Sequence, residues 1–355
     1  MITFLVRRFF QMILVLFAST FVIFLIISLV PGGPLDYLNM NSDPRRRPTK
    51  ADIARLQKSL GIDKPWYLQY VTWIAGDTWL DRIGFEEYKG DRRGVLRGDF
   101  GTSWKINLNK PVLEVIGRRL PDTLRLMIVS TVVSILFAIP IGVLSAVKQY
   151  SKLDYFFTTF SFIGISLPSF WFGLMLISAT LALQRNGLFY FPPGDAAALR
   201  AYTIPGLGRV QPNSFTDVVL HLVMPVLVLS MINLAGYSRF MRASMLEVLK
   251  QDFVRTARAK GLRERVVVLK HAMRNALIPL ITVLVFTIPG VFNGAIITET
   301  IFNYKGIGWL YLQALGNRDW PIVTAFLLIN AFLIIVANML ADILYTVADP
   351  RIRLD

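Results

Sequence analysis

Six stretches of this sequence, 9–30, 126–147, 155–184, 218–238, 275–298 and 320–341, contain no Asp, Glu, Lys or Arg. Each exceeds the roughly 18 apolar residues that cross a bilayer as a helix at about 1.5 Å per residue. Nothing else in the chain restricts the fold as strongly. In hydrocarbon every backbone N–H and C=O must be satisfied without water, and runs of this length do so as helices. Charged residues make up only 17% of the 355, against about a quarter in a soluble domain. The expectation is an all-α integral membrane protein with six transmembrane helices and a large loop after the first. Pro140, Pro168, Pro225, Pro279 and Pro289 lie inside the runs. They read either as simple kinks or as places where freed carbonyls face a neighbouring helix or a water-lined path. The first run is too long for the 7–15-residue core of a secretory signal, so it reads as an uncleaved helix.

Basic residues orient the bundle. They gather at Arg7 and Arg8, at Lys148 and Lys152, at Arg351 and Arg353, and in ten positions from Arg239 to Arg274. Loops 185–217 and 299–319 hold three and two. Loop 31–125 holds 17, but loops beyond about 60 residues cross regardless of charge. Both termini and the 239–274 loop are therefore expected in the cytoplasm. The expected divisions are 1–30 (tail and first helix), 31–120 (outer loop domain), 121–348 (transmembrane core with the 239–274 loop) and 349–355 (cytoplasmic tail). Within the outer loop, a short helix ending at Gly61 and an aromatic-rich one in KPWYLQYVTWIAG precede an irregular, partly mobile segment rich in charge and glycine. A net charge of +15 would also suit nucleic acid. On an outer face behind a membrane anchor it reads as a solvated surface, with no nucleic-acid partner.

The basic loop is the unusual element. Apolar residues fall at 246, 249, 253 and 257, then at 262, 266, 269, 273 and 277. Each set makes one helical stripe. Gly261 lies between them, where a left-handed C′ residue ends a helix and Leu262 follows as its apolar C″ partner. The pattern predicts a helix–turn–helix beneath the membrane with Arg255, Arg258, Lys260, Arg263 and Arg265 on its water side. A positive loop held against anionic lipid would satisfy the charge alone. A DNA-reading pair conflicts with stripes that run straight into a membrane span. A docking element that transmits a soluble partner's motion uses both the hinge and the two stripes.

Chemistry of its own is not visible in the chain. A phosphate-gripping loop needs G-x-x-x-x-G-K-[ST], and the dipeptide Gly-Lys does not occur. There is no cysteine, the histidines are His221 and His271, and no cluster has metal-ligand spacing. The chain is expected to be no enzyme, with no metal and no bound cofactor. Asn233, Asn293, Asn330 and Asn338 either bond between helices or line a path. Glu299 follows the fifth run, and Gly306 and Gly308 in NYKGIGWL suit a re-entrant turn near the outer mouth. The runs hold no carboxylate and show no internal repeat, which speaks against an ion-coupled transporter.

RTARAKG, followed nine residues later by HAMRNALIP, resembles the EAA-type cytoplasmic loop of ATP-binding-cassette (ABC) importer permeases. More narrowly it is similar to the inner-membrane permeases of dipeptide and oligopeptide importers. The general pattern opens Glu-Ala-Ala-x-x-x-Gly and ends in Leu-Pro. Arg255-Thr256-Ala257 and Met273-Arg274 depart from it in the manner of the peptide branch. LGIDKPWYLQY, GDFGTSW, RLPDTLRL, ISLPSFWFG, TETIFNYKGIGWL, RDWP and DPRIRLD extend the resemblance over nearly the whole chain, although residues 76–98 are longer than the pattern expects. The resemblance implies a type I importer permease in a bacterial or archaeal plasma membrane. It would pair with a second permease, two ATP-binding subunits that use ATP and Mg, and an extracytoplasmic solute-binding protein. Short peptides are the implied cargo, with nickel chelates, opines and oligosaccharides carried by close relatives. Arg255, Thr256, Ala257, Arg258, Lys260 and Gly261 would form the ATPase-coupling loop, with Arg255, Arg258 and Lys260 as contacts and Leu262 packing the turn.

Overall fold

Uninterrupted apolar length becomes helix. The computed structural model of the chain describes residues 2–29, 57, 63–285 and 296–348. In chain order its elements are α1 (Ile2–Leu29), α2 (Trp66–Ala75), α3 (Val112–Val147), α4 (Lys152–Ser166), α5 (Ser169–Arg185) and the hairpin β1 (Tyr202–Ile204) and β2 (Gly208–Val210). Then come α6 (Phe215–Val248), α7 (Asp252–Ala259), α8 (Glu264–Val266), a π-helical turn Val267–Ala272, α9 (Met273–Val285), α10 (Ile296–Ile301), α11 (Ile307–Asn317) and α12 (Trp320–Ala348). Among the described residues four helices, α1, α3, α6 and α12, are long and apolar enough to span a bilayer.

The third run departs from the expected single span. Helices α4 and α5 meet at a 97° bend. Leu167 is extended at φ −77° and ψ 121°, as steric conflict with the following proline ring requires. Pro168 then caps α5 with φ −60°. By contrast Pro140, Pro225 and Pro279 stand inside continuous helices. The fifth run is described only in part, as α9 and α10, and residues 286–295, with Asn293 and Pro289, lie outside the described residues. So do Gly61 and the helix expected to end there. The helical part of the second run starts well before the uncharged stretch, because α3 begins at Val112.

Two compact units divide the chain: Met1–Arg118 with Leu310–Ile335, and Arg119–Trp309 with Val336–Asp355. In the first, the Tyr70 ring on α2 meets Phe17, Phe21 and Phe24 of α1 edge-on at 5.4–5.9 Å. Its hydroxyl and that of Thr20 share a 2.8 Å hydrogen bond. The segment expected to be irregular is so, made of single 3-10 turns, but it is organised around buried Asp77. That carboxylate accepts from Lys64 Nζ and from the Arg92 backbone N–H, each at 2.8 Å. Asp319, fully buried just before α12, gathers Ser103 Oγ at 2.6 Å and the backbone N–H groups of Trp104, Lys105 and Ile106 at 3.0 Å.

In the second unit α6 is the axis. Its C-terminal half packs with α3, α7, the π turn and α9 in one core built on Met241, Met245, Val254, Val267 and Ala272. Its N-terminal half packs with α3, α5 and the segment around Phe302 and Tyr304. Serines tie α3 to α6: Ser134 Oγ donates to Ser230 O at 3.3 Å and Ser230 Oγ to Ser130 O at 3.1 Å. Asp217, fully buried at the start of α6, accepts from the Tyr202 hydroxyl at 2.9 Å and the Asn213 N–H at 2.8 Å, which holds the β1–β2 hairpin over the helix end. Burial first, and then this carboxylate, push the Tyr202 hydroxyl well above its usual value of 10.0.

Candidate functional site

Helix α6 stops at Val248, and a turn through Leu249 and Gln251 redirects the chain into α7. The first expected stripe therefore belongs to two helices, with Leu246 and Leu249 on one side of the turn and Ala257 on the other. Ala257 is buried as expected, but Val254 takes the inward place expected of Phe253, which is exposed. Helix α7 ends in a Schellman arrangement: Gly261 N–H donates to Arg258 O at 2.9 Å and Leu262 N–H to Ala257 O at 3.4 Å. Gly261 has φ +75°, and a Cβ there would meet nothing within 4 Å. The glycine is required by conformation alone.

The second expected stripe is displaced as well. Leu262, Val266 and Leu269 are exposed, and Met273 and Leu277 are half-buried. The buried face is Val267, Val268, Ala272, Ala276 and Leu280. The π turn Val267–Ala272 widens the helix and shifts the stripe. The sequence places Leu262 as packing for the turn; the structure leaves it open to solvent. The result is a short hairpin anchored by small and β-branched residues. Its outer surface shows Phe253, Arg255, Lys260, Leu262, Arg263 and Val266.

Arg255 and Thr256 are occupied locally. Arg255 pairs with Asp252 at 3.4 Å, and the Thr256 hydroxyl donates to Asp252 O at 2.9 Å. Arg258 reaches across the turn to Glu264, with Nη2 donating to Oε1 at 2.7 Å and Nε to Oε2 at 3.1 Å. That hydrogen bond holds the Glu264 carboxyl below its usual 4.5. Glu264 was not among the residues singled out from the sequence. A charge six positions from Arg258 on the far side of a glycine has no helical periodicity to reveal it.

Glu299, Gly306 and Gly308 form a second constellation. Glu299 is fully buried. Its Oε1 accepts from the Thr123 hydroxyl at 2.8 Å and its Oε2 from the Trp309 N–H at 2.9 Å, in the first turn of α11. Thr123 Oγ1 also accepts from the Ile307 N–H at 2.7 Å. Thus the carboxylate caps the orphan donors of a neighbouring helix. A Cβ on Gly306 would come within 2.6 Å of Glu299 Oε1, and one on Gly308 within 2.9 Å of the Ile296 backbone. These glycines serve close packing around Glu299, not only the turn. Asn233 and Asn338 are half-buried on α6 and α12. Asn330 encloses an Oδ1 with no hydrogen-bond partner.

Sequence reasoning also passed over Asp154 and Arg242. Arg242 Nε and Nη2 donate to the two carboxylate oxygens of Asp154 at 2.9 and 2.8 Å. Ser151 caps α4 three residues before Asp154, and that Ser-x-x-Asp spacing after the second run was the available signal.

Comparison with known proteins decides what carries these features. Residues 138–354 match the family described as binding-protein-dependent transport system inner membrane component, and residues 1–127 match its N-terminal region. The chain belongs to this family. Among related permeases, the oligopeptide transport system permease protein AppB of Bacillus subtilis is 39% identical over 99% of this chain and 100% of its own length. The dipeptide transport system permease protein DppB of Escherichia coli K12 is 35% identical over 99% of both, and the di/tripeptide permease DppB of Pseudomonas aeruginosa is 36% identical over 99% of both. An inward-facing structure of the MetNI methionine ABC transporter covers 68% of this permease at a TM-score of 0.51 and 16% identity. That likeness shows the fold, the type I ABC permease fold. The permease is a multi-pass inner-membrane component of a transport system and not an enzyme.

Proposed function

We propose that this permease forms, with a second related permease, the path by which an ABC importer takes up short peptides. Two separate ATP-binding subunits, using ATP and Mg, would grip the hairpin of α7 and the following turn through Arg255, Lys260 and the exposed apolar residues beside them. Thr256, Ala257 and Gly261 shape that hairpin, and Arg258 braces it. A solute-binding protein would deliver cargo on the outer side, where residues 31–120 and the Glu299–Gly306–Gly308 cluster lie. Both termini and the 239–274 loop are cytoplasmic in this reading. Asn233, Asn293, Asn330 and Asn338 are candidates for the path.

The observation that carries the reading is the hairpin's two-sidedness. One face is buried in the same core as α3, α6 and α9, while the other offers cations and apolar side chains to solvent. A partner that moves the hairpin therefore moves the helices, and nucleotide binding can bias the permease pair between its states only through such differential contact. The peptide cargo is supported by the names of the full-length relatives. Membrane vesicles holding the assembled importer test it. Radiolabelled trialanine should accumulate with ATP present and binding protein outside. Accumulation driven by a proton gradient with ATP removed would overturn the reading.

A further inference from the structure

Helix α4 has no residue in the core that holds the hairpin to α3, α6 and α9. It packs along α6, and two polar links join the helices there. The first is the Asp154–Arg242 pair, in which the Arg242 guanidinium lays two parallel donors on one carboxylate, at 2.9 and 2.8 Å. The Asp154 side chain is only 4% exposed, and it also accepts from the Tyr150 N–H at 3.0 Å and the Thr158 hydroxyl at 3.3 Å. The second is the hydroxyl pair of Ser161 and Ser238, 3.2 Å apart. Gly164 adds a close approach, since a Cβ there would stand 3.3 Å from Met231. Arg242 lies six residues before the end of α6, the point at which the chain turns into α7.

We propose that Asp154 and Arg242 are positioning residues of the transport cycle, binding α4 to α6 so that α4 travels with the coupling hairpin. The proposal rests on the function argued above. The forked geometry suits the role: two parallel bonds fix the orientation of the α4 start as well as its distance, which a single apolar contact does not. The partner charge is needed as well, because removing the Arg242 guanidinium leaves the buried Asp154 carboxylate without its counter-charge. A pair that only stabilised the fold would lower the amount of intact permease. A pair that transmits motion sets how much cargo moves for each ATP consumed.

The chain contains no cysteine, which gives a direct test in the assembled importer, reconstituted in vesicles with radiolabelled trialanine as probe. For Asp154→Asn, and separately Arg242→Lys, uptake per ATP hydrolysed should fall about fivefold or more, the size of an ordinary coupling. An unchanged ratio in assembled complex overturns the proposal. Ser161→Cys with Ser238→Cys then replaces the link covalently. Oxidation should leave uptake intact in the otherwise unaltered chain and restore the ratio in the Asp154→Asn background. If oxidation blocks uptake and reductant releases it, α4 and α6 must separate during transport and the proposal fails. The cysteine arm decides alone should Asp154→Asn not assemble. Failure of the unaltered complex to show ATP-dependent uptake would instead refute the function itself.

Discussion

Gly261 and Gly306 occur in stretches of similar appearance, yet the structure asks opposite things of them. Around Gly261 there is open space and a backbone at φ +75°, so Gly261→Ala carries only the left-handed penalty, about 1–2 kcal/mol. The permease should still assemble, with a hairpin whose first helix frays and with reduced uptake. Gly306 has a tight surround, and its Cβ would stand 2.6 Å from a buried carboxylate oxygen. Gly306→Ala should cost about 3 kcal/mol by overpacking and show as a lower melting temperature of the purified permease. Equal melting temperatures for the two variants would refute this contrast. Asn330 poses a third case. Its enclosed Oδ1 lacks a partner, so an apolar replacement of similar shape removes a desolvation cost. Asn330→Leu should melt at the same temperature or higher. A loss of uptake at unchanged stability would instead place Asn330 on the path.

At the scale of elements, carboxylates do the joining. The hairpin is closed by the Arg258–Glu264 pair, and the Arg258 hydrogen bond lowers the Glu264 pKa from 4.5. A lowered carboxylate pKa contributes stability above its unfolded value and loses it as pH falls through the folded value. The clamp should therefore be insensitive to pH near neutrality and open only in acid below 4.5. Because both side chains are exposed, high salt should weaken it at any pH. Protection factors of the amides from Arg255 to Val266, which remove the intrinsic rise of exchange with pH, measure the opening, and weaker protection at neutral pH than in acid would contradict the sign. The Asp319 carboxylate holds the backbone N–H groups of Trp104, Lys105 and Ile106 beside α12. Asp319→Ala removes the acceptor that those donors and the buried Ser103 hydroxyl share and should cost about 3 kcal/mol, against a much smaller loss for Asp319→Asn. Indistinguishable melting of the two variants would show that water replaces the carboxylate.

For the whole molecule, the hairpin's exposed cations are the predicted grip for the ATP-binding subunits. Reversing Arg255 and Lys260 to Glu should reduce co-purification of those subunits while leaving the permease itself folded, since neither side chain is buried. Unaltered co-purification would remove the grip from these residues. The apolar runs that become α1, α3, α6 and α12, the helix Trp66–Ala75 and the existence of a hinged hairpin were all legible in the sequence. Apolar transfer and glycine's backbone freedom are properties a residue carries with it, so length, periodicity and one glycine were enough. The inward face of the hairpin's second helix was not legible, because a π turn moved it by a residue. Nor was the proline that breaks a span: Pro168 ends α4 with a 97° bend while Pro140 and Pro225 sit in straight-through helices. The partners of the buried carboxylates were hidden for the same reason. Thr123 and Glu299 are 176 positions apart and Ser103 and Asp319 are 216 apart. By itself the sequence determined which parts of the chain leave water and which stay in it, since that preference is local and additive. Which glycine must stay small, which proline bends its helix and which carboxylate meets which donor were decided only in the folded molecule, because each depends on what lies across from it in space.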